Sequence, residues 1–441
     1  MGLPNVASTR NGETAAEPGS NPSATRGMLA RIPRIDVATA VLLAALGVVV
    51  VLLGQQILEP WLRAMDEDIY FQADPLRVIE QMNTRWHKGG YTRNHPLFVS
   101  LVMPPVLVFR KLTGLSHLDA ALAAMVACAA LWMPAMYATL RLAGCRVVDA
   151  ALFTAASLTT ASFLFFSPVP DTFPFSAITM LVPFMALAVI HQVRRQERLL
   201  TVAGLVSLSL NVANWMAGIA AAFAALRWRR ALQVCANVLA IGTLLWGVQR
   251  RAFQDLEFFL DKPPDPESVY APSLERVVMA TKGVLLHTAV VPRVELCDRA
   301  PVKWAPDAPK YFVSVQEATI KEPIAVVAAL SWVALLILGA FGLRETSPPF
   351  RVALGATILG QLALHTVFGG EIFLYSLHYV ALLVMVAAMA TRGPYRRIAL
   401  ALVCVFAVTA ATNNVHQLRR TATYFANPPG ELTREGHACK Y

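Results

Sequence analysis

Charge is what this sequence has least of. Asp, Glu, Lys and Arg make up 15% of its 441 residues and hydrophobic residues 56%, against about 25% charged in soluble domains. One water-soluble core cannot use that much apolar surface, so the composition excludes an ordinary soluble enzyme and indicates a polytopic membrane protein. Cysteine is sparse too. The six cysteines form no C-x-x-C pair and have no histidine at metal-ligand spacing, which excludes a zinc site and a thioredoxin-like motif. Cys128, Cys235 and Cys404 fall in apolar runs and read as small core residues. There is no Gly-rich phosphate loop, nucleotide fingerprint or G-x-S-x-G elbow, so nucleotide-driven chemistry is not expected. No small-residue cleavage site follows the first apolar segment, which therefore reads as a retained anchor. The lack of an internal repeat argues against an inverted-repeat transporter.

What is present is a net charge of +10 confined mostly to short segments between apolar runs. That pattern fits cytoplasmic loops and anionic lipid rather than nucleic acid, which is not expected as a partner. Residues 1–35 have the Ser, Asn, Pro and Gly content of a disordered tail, and Arg10, Arg26, Arg31 and Arg34 place it on the cytoplasmic side. Apolar segments at 37–58, 118–140, 148–166, 172–193, 231–248, 323–343, 352–368, 373–390 and 398–415, with a hairpin of two short helices over 199–226 turning near Asn211, Asn214 and Trp215, predict about 11 transmembrane helices. The proline-rich segment 96–112 is read as juxtamembrane, because a crossing there would put the following arginines outside. The predicted fold is thus an all-α polytopic membrane protein. A first outer loop spans 59–117 within a module of 36–249, a second outer loop covers 250–322, further helices cover 323–415, and an outer tail covers 416–441. Within the second loop, 274–291 is expected on the membrane surface.

The candidate chemistry lies on the outer side. In Asp66-Glu67-Asp68-x-Tyr70 three adjacent carboxylates disfavour full ionisation, so one should hold its proton more tightly. Such a group is either a general base for an acceptor hydroxyl, a ligand to a divalent metal, or a solvated helix flank. Asp171 closes the short outer stretch Ser-Pro-Val-Pro-Asp; it either caps the next helix or shares a site, and a metal, with Asp66 and Asp68. Arg85, His87, Lys88, Arg93 and His95, interleaved with Trp86 and Tyr91, suit either a phosphate held at the membrane surface or lipid headgroups. Glu371 and His378 fall in the outer third of a span, where ionisable residues face a cavity or each other.

The layout resembles the GT-C superfamily of membrane glycosyltransferases, in particular the protein O-mannosyltransferases and lipid A aminoarabinose transferases. The matching residues are Asp66, Glu67 and Tyr70 of a D-E-x-x-Y-like motif, His95, Pro96 and Leu97 of an H-P-P-L-like motif with one proline in place of two, and Asp171 as the second outer aspartate. The likeness covers about the first 230 residues. It implies inverting transfer of a sugar from a polyprenyl-phosphate donor to a lipid, glycan or protein acceptor on the extracytoplasmic side of a bacterial inner (plasma) membrane. Asp66 is then the base, with Asp68 as the competing assignment. The alternative from another class is a lipid or solute transporter. Cys297 and Cys439, both on the outer side, either pair, as thiols on an oxidising side do, or stay as two free thiols.

Overall fold

A computed structural model of the chain describes residues 33–63, 69–84, 93–253, 256–259, 269–298, 311–316 and 318–426. Asp66, Glu67, Asp68, Arg85, His87, Lys88 and Cys439 lie outside the described residues. The described chain is almost entirely helical. Among the described residues, eight helices are long and apolar enough to cross a membrane: Arg34–Arg63, His117–Leu142, Phe173–Gln192, Trp228–Ala252, Pro323–Glu345, Pro348–Val367, Ile372–Arg392 and Arg396–Ala426. This is a multi-pass membrane protein.

The helices, in chain order, are α1 (Arg34–Arg63), α2 (Pro75–Asn83), α3 (Phe98–Thr113), α4 (His117–Leu142), α5 (Val147–Ser157), α6 (Ala161–Phe166), α7 (Phe173–Val189), α8 (Gln196–Leu210), α9 (Trp215–Ala225), α10 (Trp228–Ala252), α11 (Leu274–Lys282), α12 (Pro323–Gly342), α13 (Pro348–Val367), α14 (Ser376–Met389) and α15 (Arg396–Ala426). Two short strands, β1 (Glu295–Asp298) and β2 (Tyr311–Ser314), pair antiparallel. α14 is buried along its whole length and forms the centre of the bundle. Close packing rather than water exclusion holds apolar helices together in lipid, and small residues permit it. A Cβ on Gly339 or Gly342 would fall 2.0 Å from the Val386 carbonyl oxygen or 1.9 Å from that of Met389, so α12 lies directly on the backbone of α14.

Ionic contacts gather the arginines at one end. Asp36 at the start of α1 accepts from Arg141 Nε at 2.7 Å and from the Tyr137 hydroxyl. Arg396 at the start of α15 pairs with the buried Asp149 of α5 at 2.5 Å, and Arg392 donates to the carbonyls of Ala143 and Glu345. The other end carries the motifs. Both termini of α3 lie there: Leu97 is bonded to Ser209 at the end of α8, and Arg110 reaches Asn83, which in turn bonds the carbonyl of His117 at the start of α4.

Three expectations are corrected. The single crossing expected over 148–166 is two helices, α5 and α6, broken at 158–160. The amides of Ala161 and Ser162 donate to the carbonyls of Ala289 and Thr288, and Asn414 donates to the Thr159 carbonyl at 2.8 Å. Irregular backbone in a bundle survives where such partners exist. Segment 274–291 is a surface helix only in its first half: α11 carries exposed Leu274, Val277 and Val278, but after it and a π-turn (Gly283–His287), Ala289, Val290 and Val291 are fully buried and held by Asn413 and Asn414. Finally, α15 continues through 416–426, because Gln417, read as tail, accepts from the Val294 amide inside the protein.

Candidate functional site

The histidine motif is fixed by its backbone before its side chains act. Val212 N–H donates to the Asn94 carbonyl at 2.9 Å and Leu97 N–H to the Ser209 carbonyl at 2.8 Å. Gln249 donates to the Pro96 carbonyl at 2.9 Å. Asn-His-Pro-Leu therefore lies along the break between α8 and α9, where Asn211 caps the turn through the Ala213 amide. Gln249 in turn accepts from the Ser100 amide and hydroxyl, tying α10 to the start of α3.

Asp171 is seated from the opposite side. Its loop packs on α1 at Gly54, where a Cβ would lie 2.4 Å from Pro168 Cγ, and Gln55 donates to the Pro168 carbonyl at 3.4 Å. The carboxylate accepts from the Thr172 amide at 2.5 Å, so the capping expectation holds in part. It also lies 3.1 Å from the Thr172 hydroxyl, and that hydroxyl is 3.2 Å from His95 Nε2. His95 Nδ1 sits 2.7 Å from the Leu210 carbonyl; a carbonyl only accepts, so Nδ1 carries the proton and Nε2 is the acceptor. The result is a buried chain from Asp171 through Thr172 to His95 across 77 positions of sequence.

Burial sets its electrostatics. Asp171 is 4% exposed, and burial lifts its carboxyl to about 6 against the lowering pull of the Thr172 and Phe173 amides, the Thr172 hydroxyl and the Arg77 charge. Burial pushes His95 down to about 4, with the Leu210 carbonyl opposing and Arg77 assisting. Near neutral pH the histidine is uncharged and the carboxyl is within reach of both its forms. A single hydroxyl proton on Thr172 serves either partner: it goes to an ionised Asp171, or to His95 when Asp171 is protonated and donates to Thr172. Such a group can take up and release a proton.

The other candidates separate. Tyr70 is fully buried, stacks on Trp61 at 4.4 Å and donates to the Phe165 carbonyl at 2.8 Å; it ties the chain just after the acidic motif to the α6 end that leads to Asp171. Phe71 and Gln72 follow with φ of 50° and 61°, a left-handed pair that costs about 1–2 kcal/mol per residue. The strain turns Phe71 into a cluster with Phe165, Phe166 and Phe373. The Ile69 carbonyl accepts from Val313 of β2. Arg93 is partly exposed beside the motif. Glu371 and His378 do not face each other. Glu371, 1% exposed, accepts from the Ser314 hydroxyl and the Phe373 amide, joining β2 to the helix leading into α14, and burial lifts its carboxyl to about 7. His378 instead meets Asn211 at 3.1 Å and the Phe173 ring at 4.6 Å, beside the Asp171 chain.

Thr172 and Arg276 have roles that their residue types do not announce, and Asn211, read only as part of a turn, also meets His378. Arg276 of α11 is buried, donates to the Gly369 carbonyl at 2.8 Å and lies 4.0 Å over the Tyr270 ring; a lone arginine in a loop carries no signal of this. Among the described residues no group of three or more His, Cys, Asp or Glu could hold a metal; Asp66 and Asp68, the other expected ligands, lie outside them. Comparison with protein-family models, with curated proteins and with solved structures gave no match.

Proposed function

We propose that the chain is a membrane glycosyltransferase that moves a sugar from a polyprenyl-phosphate donor to an acceptor at the arginine-poor, extracytoplasmic end of the bundle. The observation that carries this reading is the Asp171–Thr172–His95 chain, in which residues of two separate resembling motifs meet. In the reaction the bond from the sugar C1 to the donor phosphate oxygen breaks and one from C1 to the acceptor oxygen forms. The acceptor's hydroxyl proton passes to a carboxylate, and polyprenyl phosphate leaves. Asp66 is the assigned base with Asp68 as its rival, and Asp171 and His95 line the same site. Tyr70 positions the acidic motif, and Arg85, His87, Lys88 and Arg93 bind the donor phosphate. A divalent metal, if required, is held by Asp66, Asp68 and Asp171.

The reading also sets the topology. Counting the broken α5–α6 unit and the short α8 and α9 as crossings adds three to the eight long helices and restores eleven, with α2 and α3 on the outer surface. The positive bias puts the arginine-rich end, and the N-terminus, in the cytoplasm. A photoreactive polyprenyl-phosphate sugar should label a peptide containing His95 or Asp171, with unlabelled polyprenyl phosphate competing. Labelling confined to other peptides would remove the assignment.

A further inference from the structure

At the arginine-rich end, between the start of α8 and the start of α10, lies a cavity of about 400 Å³ lined by Arg195, Glu197, Arg198, Arg230, Gln233 and Asn237. Arg230 is paired with Glu197 at 3.0 Å. Arg195 and Arg198 have no carboxylate partner among the described residues, so three guanidiniums against one carboxylate leave a net charge of +2. Trp228 is 61% exposed with Arg229 5.3 Å from its ring centre, the kind of pair that marks a membrane–water boundary. Gln233 and Asn237 lie five and nine residues further along the spanning helix α10, about 7.5 and 13.5 Å deeper. Both are exposed on its outward face, in the company of Leu232, Ile241 and Leu244. Amides turned toward hydrocarbon are costly without a polar partner.

We propose that this cavity binds the phosphodiester headgroup of an anionic phospholipid from the adjacent leaflet. Arg195 and Arg198 take the phosphate oxygens, and Gln233 and Asn237 bond the glycerol and ester oxygens drawn in below it. The depth of the two amides distinguishes this from general attraction of basic loops to a charged surface, which needs no polar group inside the leaflet. It also favours a lipid over a free phosphate, which has nothing to place there.

The test uses the full-length protein in detergent, delipidated and titrated with phosphatidylglycerol or phosphatidylcholine, with bound lipid counted by native mass spectrometry. The parent should prefer phosphatidylglycerol, and Arg195→Gln/Arg198→Gln should weaken that binding about 30-fold, as two cations at about 1 kcal/mol each near anionic lipid require. Arg397→Gln, exposed at the same end of the bundle, should bind like the parent. Asn237→Leu, apolar and so compatible with the lipid-facing surface, should lose about 3- to 10-fold, the worth of one hydrogen bond, and serves if the double variant does not fold. Parent-like binding by the arginine variants, or by Asn237→Leu when those cannot be made, overturns the site. Complete displacement of the lipid by millimolar inorganic phosphate overturns the lipid as its occupant.

Discussion

Replacing Asp171 with Asn should make the protein more stable at pH 7.5 while reducing its activity. The Asp171 carboxyl is held at about 6 against an ordinary value of 3.8, so the folded protein binds this proton more tightly than the unfolded chain does. The stability this confers is complete below about 3.8 and is lost by the time the pH has risen past about 6. Above that, the parent carries the cost of an ionised buried group, about 3 kcal/mol at 1.36 kcal/mol per pH unit. Asparagine keeps an acceptor oxygen for the Thr172 amide but never ionises. The variant's advantage should therefore be at most about 3 kcal/mol at pH 7.5 and near zero at pH 4. Thermal unfolding of the detergent-solubilised protein across that range, followed by tryptophan fluorescence, measures it. A stability difference that does not change with pH, or that grows toward pH 4, would refute the reasoning.

Other consequences follow from the same geometry. Thr172→Val removes the hydroxyl between His95 and Asp171; the variant should lose about 1–3 kcal/mol of stability, and the pH at which Asp171 ionises, read from the pH dependence of unfolding, should move up from about 6, because a bond favouring the ionised carboxyl is gone. Gly54→Val must push Pro168 aside, so sugar transfer should fall at least tenfold while the protein still purifies as a monodisperse species; full activity would mean the Asp171 loop need not be seated on α1. Single cysteines at Ser268 and Gln196 test sidedness: an impermeant reagent should label the first and spare the second in intact cells, and the reverse pattern inverts the topology. Cys297 is disulfide-bonded, whereas Cys128, Cys145, Cys235 and Cys404 are free; non-reducing peptide mapping should join it to Cys439, and recovery of both as alkylated thiols would contradict the pairing.

The gathering of arginines at one end of the bundle was legible because arginine clusters recur at helix ends wherever the chain turns there, and the turn at Asn211–Asn214 was legible because polar residues interrupt an apolar run. The break in 148–166 was not. Its partners, Thr288, Ala289 and Asn414, are more than a hundred residues away, and nothing local distinguishes Thr159-Thr160-Ala161-Ser162 from ordinary small residues in a span. For the same reason 416–426 read as a polar tail: Gln417 is polar because it serves a buried strand of chain, not because it faces water. Glu371 and His378 lie about two helical turns apart but are claimed by different neighbours, Ser314 and Asn211, and proximity along the chain could not separate them. The link from His95 to Asp171 was not legible, because the sequence groups Asp171 with Asp66 and Asp68 and His95 with the basic residues before it. The residue that makes it, Thr172, is one position beyond the expected acid.

Turnover tests the account most directly. Purified parent protein in lipid nanodiscs, supplied with polyprenyl-phosphate sugars and the membrane fraction as acceptor source, should release free polyprenyl phosphate with at least one donor. Asp66→Asn should abolish release and Asp171→Asn should reduce it, with both variants folded. Release at the parent rate by both variants, or none by the parent with any donor tried, would contradict a carboxylate-based sugar transfer at this end of the bundle.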